Sequence, residues 1–198
     1  CTEKCPIHQD VMTYGRYCIY KQYDEAFRVI IDKNPLPFIT GTICSHACQS
    51  VCTRNYYETP VQIRANKLLA ARHGYDKIVK ELKPGKPNGK KVVVIGAGPA
   101  GISAAYFLGR EGCEVTVYDE NDKAGGVVAN IIPEFRIPMA DIEKDVSLAR
   151  AVGAKFVLNR RVDDVKKLMA DEKADYAIVC IGAHKDSPLK LEEGTALN

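Results

Sequence analysis

Apolar positions change rhythm partway along the chain. In roughly the first 86 residues they recur at helical spacing, and from Lys91 onward short β-branched runs alternate with helical stretches. Asp10 is placed to cap a helix reaching about Tyr20, and Asp24 a second reaching about Lys33, with Phe27, Ile30 and Ile31 on its apolar stripe. Asn34-Pro35-Leu36-Pro37 stops that helix, and Gly41 reads as a turn. Thr59-Pro60 opens a third helix through Ile63, Leu68 and Leu69; His73-Gly74 and then Lys83-Pro84-Gly85-Lys86-Pro87-Asn88-Gly89 close the helical part. Beyond it come a strand from Lys91 to Ile95, a helix over Ile102–Gly109 and a strand over Glu114–Tyr118. A helix from about Met139 to Val152, a strand over Lys155–Leu158, a helix through Leu168 and a strand over Tyr176–Ile181 complete the order. The pattern predicts an α/β chain: a small all-α, Cys-rich module over 1–86 and a partial Rossmann-like domain over 87–198.

The first strand runs without a gap into Gly96-Ala97-Gly98-Pro99-Ala100-Gly101, a G-x-G-x-x-G turn opening a helix. Gly96 allows the tight turn, Gly98 lets backbone approach a diphosphate, and Gly101 lets helix pack on strand. The helix amino end offers free N–H groups and the positive end of its dipole to the phosphates. A glycine turn alone is weak evidence, but Asp119 ends the next strand 18 positions beyond Gly101, near the offset of a ribose-binding acid. An acid there favours a free 2′-hydroxyl, hence FAD or NAD over NADP at this site.

Composition narrows the classes. With 46% hydrophobic residues in 198, the chain can bury one good core or two small ones. It has no apolar run approaching a membrane span and no secretory leader, so a soluble, cytoplasmic protein without membrane contact is expected. Starting at Cys1 rather than Met, it reads as a piece of something longer. Residues 1–90 hold 14 Lys and Arg against 8 Asp and Glu, and the remainder 14 against 17. The positive charges are scattered and lack interleaved aromatics, which argues against nucleic acid.

Six of eight cysteines fall early: Cys1, Cys5, Cys18, Cys44, Cys48 and Cys52. A disulfide framework needs an oxidising compartment. Zinc, with His46 as a fourth ligand, is open, although paired C-x2-C knuckles are absent. Iron–sulfur ligation also takes thiolates at short spacings, and Cys5-Pro6 matches the Cys-Pro pair of ferredoxin-type motifs. On one helix Cys44, Cys48 and Cys52 would project together. Cys18, Cys113 and Cys180 read as packed thiols.

A Cys-rich helical module, a Pro/Gly linker and then VVVIGAGPAGISAA resemble, in that order, the glutamate synthase small subunit and the amino-terminal part of dihydropyrimidine dehydrogenase. The phrases NPLPFITGTIC and YYETPVQIR are most similar to the group named for selenate reduction. The resemblance covers essentially the whole chain. It implies two [4Fe-4S] clusters beside FAD, fed by NADPH, in an electron-transfer subunit or fragment that passes electrons to a partner. Cys5, Cys44 and Cys48 would hold one cluster, Cys1 and Cys52 the other. Two further ligands of that second cluster would precede Cys1, and the Gln or Glu that completes the first in relatives is matched here by Lys67, whose ammonium has no lone pair. At most one intact cluster is expected.

The same resemblance assigns Asp119, Glu120, Gly125, Gly126 and Val127 to the FAD ribose and diphosphate, Arg136 of an I-P-x-F-R-L-P-like loop to the cofactor, and Val162 to adenine through main chain. Gly125-Gly126 would open backbone N–H groups to phosphate oxygens. No second glycine motif follows Ile181-Gly182, where an NADPH domain is implied. The cofactors carry the chemistry, so no catalytic acid, base or nucleophile is assigned. Expected partners are the remaining domains, a larger catalytic subunit, or a second copy of the chain. The rivals are a zinc-stapled nucleotide-binding interaction module without redox turnover and an assembly domain with an empty nucleotide fold. The positive charge of the helical part is expected to favour a reduced cluster, through Arg54 and Arg64.

Overall fold

A computed structural model describes residues 1–183. His184, read above as a loop residue, lies outside the described residues. Helices α1 (Val11–Ile19), α2 (Tyr23–Lys33), α3 (Pro37–Ile43), α4 (Ala47–Ser50) and α5 (Ile63–Glu81) come first, with a 3-10 turn over Thr53–Tyr56. Then follow β1 (Lys91–Ile95), α6 (Pro99–Arg110), β2 (Glu114–Tyr118), α7 (Val127–Asn130), α8 (Met139–Ala151), β3 (Lys155–Val157), α9 (Val165–Glu172) and β4 (Tyr176–Val179). The four strands form a parallel sheet in the order β3-β2-β1-β4. Val92 lies opposite Val115 on one side and Tyr176 on the other, and Val93 and Val94 are fully buried. That burial is why β1 reads as a continuous apolar run.

Several local expectations are corrected. Asp10 does cap α1, its Oδ1 accepting from Thr13 N–H at 3.1 Å, but Asp24 is not the cap of α2. It sits in the first turn and pairs with Lys77 of α5 at 2.6 Å. Gly41 lies inside α3, where a Cβ would come within 2.9 Å of Leu68 Cβ. Gly74 likewise lies inside α5, with Phe27 Cβ 2.7 Å from where its own Cβ would be. Both glycines serve close helix packing. Three elements also differ at an end: α5 opens at Ile63 rather than after Thr59-Pro60, β3 stops at Val157 and β4 at Val179.

One apolar core runs through both parts of the chain. Phe27, Ile31, Phe38 and Ile78 from the early helices share it with Val94, Tyr106, Val117, Ile142 and Leu148. At its centre Asp145 of α8, with no exposed surface, accepts from the N–H groups of Phe38 (3.1 Å) and Ile39 (2.8 Å) at the start of α3. A helix start with no side-chain cap of its own is thus capped from another helix. Burial raises the Asp145 carboxyl well above its ordinary range, against the pull of those two N–H groups.

Candidate functional site

The bend after β1 forms the first site. Gly101 must be glycine, because a Cβ there would lie 1.9 Å from the Gly96 carbonyl oxygen. Gly126 (φ +55°) passes behind Gly98, its missing Cβ 2.8 Å from Gly98 Cα, so two bare backbones cross where a diphosphate can approach. Gly125 ties the second loop to the first through N–H to the Ala97 carbonyl at 2.7 Å. Helix α6 starts at Pro99 with no side-chain cap, leaving first-turn amides and the dipole's positive end available.

Asp119 comes off the tip of β2 and is 9% exposed. Its Oδ2 accepts from Ala97 N–H at 2.6 Å, while Oδ1 accepts from the backbone and side-chain N–H groups of Asn121, each at 2.8 Å. The carboxylate is fixed against the glycine bend and retains lone pairs for a ligand hydroxyl. It opens onto a cavity of about 620 Å³, also lined by Gly98, Pro99, Gly126, Val127 and Val162. That is within the range of cofactor clefts.

Of the residues expected here, Gly96, Ala100 and Glu120 line the cavity too. Ala97, Gly101 and Gly125 shape it from behind. Arg136 is exposed and does not line it; its N–H bonds the Pro133 carbonyl at 2.8 Å within its own loop. Two lining residues escaped the sequence reading. Arg160 stacks 4.8 Å over the Tyr118 ring, and Arg161 pairs with Glu120 and Asp163, each at 2.9 Å. The basic pair just ahead of Val162 was their only signal. Tyr118 hydroxyl donates to Glu172 at 2.6 Å; burial first, then that carboxylate, pushes its pKa up to about 12.

The cysteines form the second site, and not on one helix. His46 adopts a left-handed conformation (φ +47°), so Cys44 precedes α4, Cys48 lies within it and Cys52 follows it. Cys5, Cys44 and Cys48 nevertheless gather within electrostatic reach of Lys67, which is 9% exposed on the inner face of α5. Burial lowers the Lys67 pKa, and the three thiols oppose that shift. Cys44 Sγ accepts the His46 N–H at 3.3 Å, and Arg64 Nη1 donates to the Cys44 carbonyl at 2.9 Å. Burial pushes the Cys48 thiol up. Cys52 lies apart, near the Cys1 amino group, where N–H groups of Val61 and Arg54 hold its thiol below the usual range.

Among the described residues no three His, Cys, Asp or Glu converge closely enough for a single metal ion. An iron–sulfur cube takes its thiolates at separate corners, and amide N–H···S bonds such as that at Cys44 belong to such sites. Three corners therefore fit; Lys67 stands at the fourth and, as an ammonium, does not. Cys18 donates instead to the Asn66 carbonyl at 3.7 Å.

Residues 1–77 match the family model described as dihydropyrimidine dehydrogenase domain II, 4Fe-4S cluster, and residues 94–140 match that of an NAD(P)-binding Rossmann-like domain. The chain is 39% identical over 193 residues to YgfK of Escherichia coli (strain K12), named as an oxidoreductase, covering 96% of this chain and 19% of that one. It is 30% identical to the NADPH-Fe(3+) oxidoreductase subunit beta of Geobacter sulfurreducens, covering 97% of this chain and 29% of that one. The Glutamate synthase [NADPH] small chain of Bacillus subtilis (strain 168) matches at 29% identity over 96% of this chain and 39% of its own length. The chain thus spans about a fifth to two fifths of these relatives. The likeness to the glutamate synthase small subunit and dihydropyrimidine dehydrogenase group holds along the whole chain, with a 4Fe-4S domain followed by a Rossmann-like region.

Proposed function

We propose that this chain, a relative of the iron–sulfur oxidoreductases just described, is the FAD-binding and cluster-binding portion of an NAD(P)H-dependent electron-transfer protein. Residues 1–86 would form the cluster domain and 87–198 the flavin domain. The observation that carries the reading is Asp119, held 2.6 Å from Ala97 N at the mouth of the cavity beneath the uncapped start of α6.

In that cavity Asp119 accepts from the adenosine ribose hydroxyls, and the Gly98–Gly126 crossing admits the diphosphate to the α6 amides. Val127 and Glu120 flank the ligand, and Val162 meets adenine through main chain. Arg136 is the one expected contact that must travel to arrive, since its loop lies outside the cavity. Cys5, Cys44 and Cys48 serve one cluster, and Cys1 with Cys52 contribute to another. A bound flavin interconverts the hydride pair of a nicotinamide with single electrons, which iron–sulfur clusters carry. The protein's own task is to hold these groups and exclude water. All eight cysteines are free, which suits the reducing cytoplasm. Among the described residues no helix is long and apolar enough to cross a membrane. The partner is the remainder of a longer parent or a larger subunit.

Anaerobically purified chain titrated with FAD tests the reading by flavin fluorescence, alongside an absorption spectrum before and after dithionite. Saturable FAD binding that weakens about tenfold or more in Asp119→Ala is expected, as for loss of a charged hydrogen bond. A colourless protein that ignores FAD and carries zinc would instead be a nucleotide-independent interaction module.

A further inference from the structure

The corner of the thiol site that holds Lys67 is the most unusual point in the chain. Three thiols that can each give a thiolate surround a side chain with three N–H donors and no acceptor. The lysine is committed to this place. It lies on the buried stripe of α5 with Ile63, Ala70, Ala71 and Gly74, and only 9% of it meets solvent.

Nearby side chains that could supply a fourth donor atom are bonded elsewhere. Cys18 Sγ donates to Asn66 carbonyl at 3.7 Å, Tyr14 hydroxyl to Ile63 carbonyl at 3.4 Å, and Gln49 Oε1 accepts from Arg64 N–H at 3.3 Å.

We propose that the Cys5–Cys44–Cys48 site provides three protein ligands only. A cubane held there has one iron bound by a small exogenous donor of the water, hydroxide or low-molecular-weight thiol class, with the Lys67 ammonium as its hydrogen-bond donor and counter-charge. This rests on the iron–sulfur reading above. It makes one iron exchangeable, whereas a site with four thiolates holds all of them. Mild oxidation removes that iron: [4Fe-4S]2+ yields [3Fe-4S]+, a ferrous ion and one electron, which an added oxidant takes up.

The test uses the full chain, reconstituted anaerobically with ferrous iron and sulfide and titrated with ferricyanide. Released ferrous ion is counted with a chelator, and the cluster is followed by electron paramagnetic resonance. Wild type is expected to lose one iron per cluster and to gain the signal of an oxidised three-iron cluster. Adding ferrous ion back should erase that signal. Lys67→Cys, which places a thiolate at the fourth corner, should abolish both the release and the signal. Lys67→Gln offers a weaker oxygen donor and should reduce them, so the comparison survives if the cysteine variant misfolds. A wild-type cluster that keeps all its iron under ferricyanide overturns the inference while leaving the iron–sulfur reading intact. A resistant wild type that becomes labile in Cys18→Ala overturns it too, by naming Cys18 as the fourth thiolate. Protein that takes up no cluster at all defeats this inference and the reading beneath it together.

Discussion

Two buried carboxylates show what single residues settle here. Asp119 was legible in the sequence, because its distance from the glycine turn is dictated by one helix and one strand between them. Asp145 was not, since its partners Phe38 and Ile39 lie more than a hundred residues away and nothing local announces them. Replacing Asp145 with Ala leaves two buried N–H groups unpaired, at about 1–3 kcal/mol each, which urea unfolding will measure. Its titration has a definite sign. Between the ordinary value of 3.8 and its raised folded value, the folded chain binds the extra proton, with Asp141 adding to the rise and Lys67 opposing it. Stability therefore falls as pH rises through that window, and Asp145→Asn should flatten the slope in urea midpoints taken across a pH series. Lys67 was placed by alignment, but only the coordinates reveal that three thiols close round it.

At the scale of elements, the strands were readable and the cysteine segment was not. A parallel strand buried on both faces must be apolar throughout, so Lys91–Ile95 declares itself. Cys44, Cys48 and Cys52 carry helical spacing, yet the left-handed residue at His46 confines α4 to four residues and sends Cys52 toward the chain's start. Glycines misled in the opposite direction. Gly41 and Gly74 look like helix stops, but each is a place where two helices touch too closely for a side chain. Gly74→Ala is the clean test. Propensity alone favours alanine by about 1 kcal/mol, while overpacking against Phe27 costs about 1–3 kcal/mol. A net loss of thermal stability, read by circular dichroism, is the expected outcome; a gain would show that α2 can yield.

For the molecule as a whole, the stretch from Lys83 to Gly89 has the composition of a loose tether but is stitched down. Gly85 N–H bonds the Gly109 carbonyl at 2.9 Å, Asn88 N–H bonds the Gly112 carbonyl at 3.1 Å, and Asn88 Nδ2 bonds the Glu111 carbonyl at 2.8 Å. A Cβ on Gly85 would lie 2.0 Å from the Arg110 carbonyl oxygen. Trypsin needs an opened backbone, so native wild type should be cut slowly after Lys83 and Lys86, and Gly85→Ala faster, as mass spectrometry of timed digests will show. Stitched linker, shared core and the Asp145 cap together deny the molecule a hinge between its thiols and its glycine bend. Tunnelling probability decays exponentially with separation, so an electron leaving a flavin at the bend would meet a gap whose width the fold has set once, with no swinging arm to wait for.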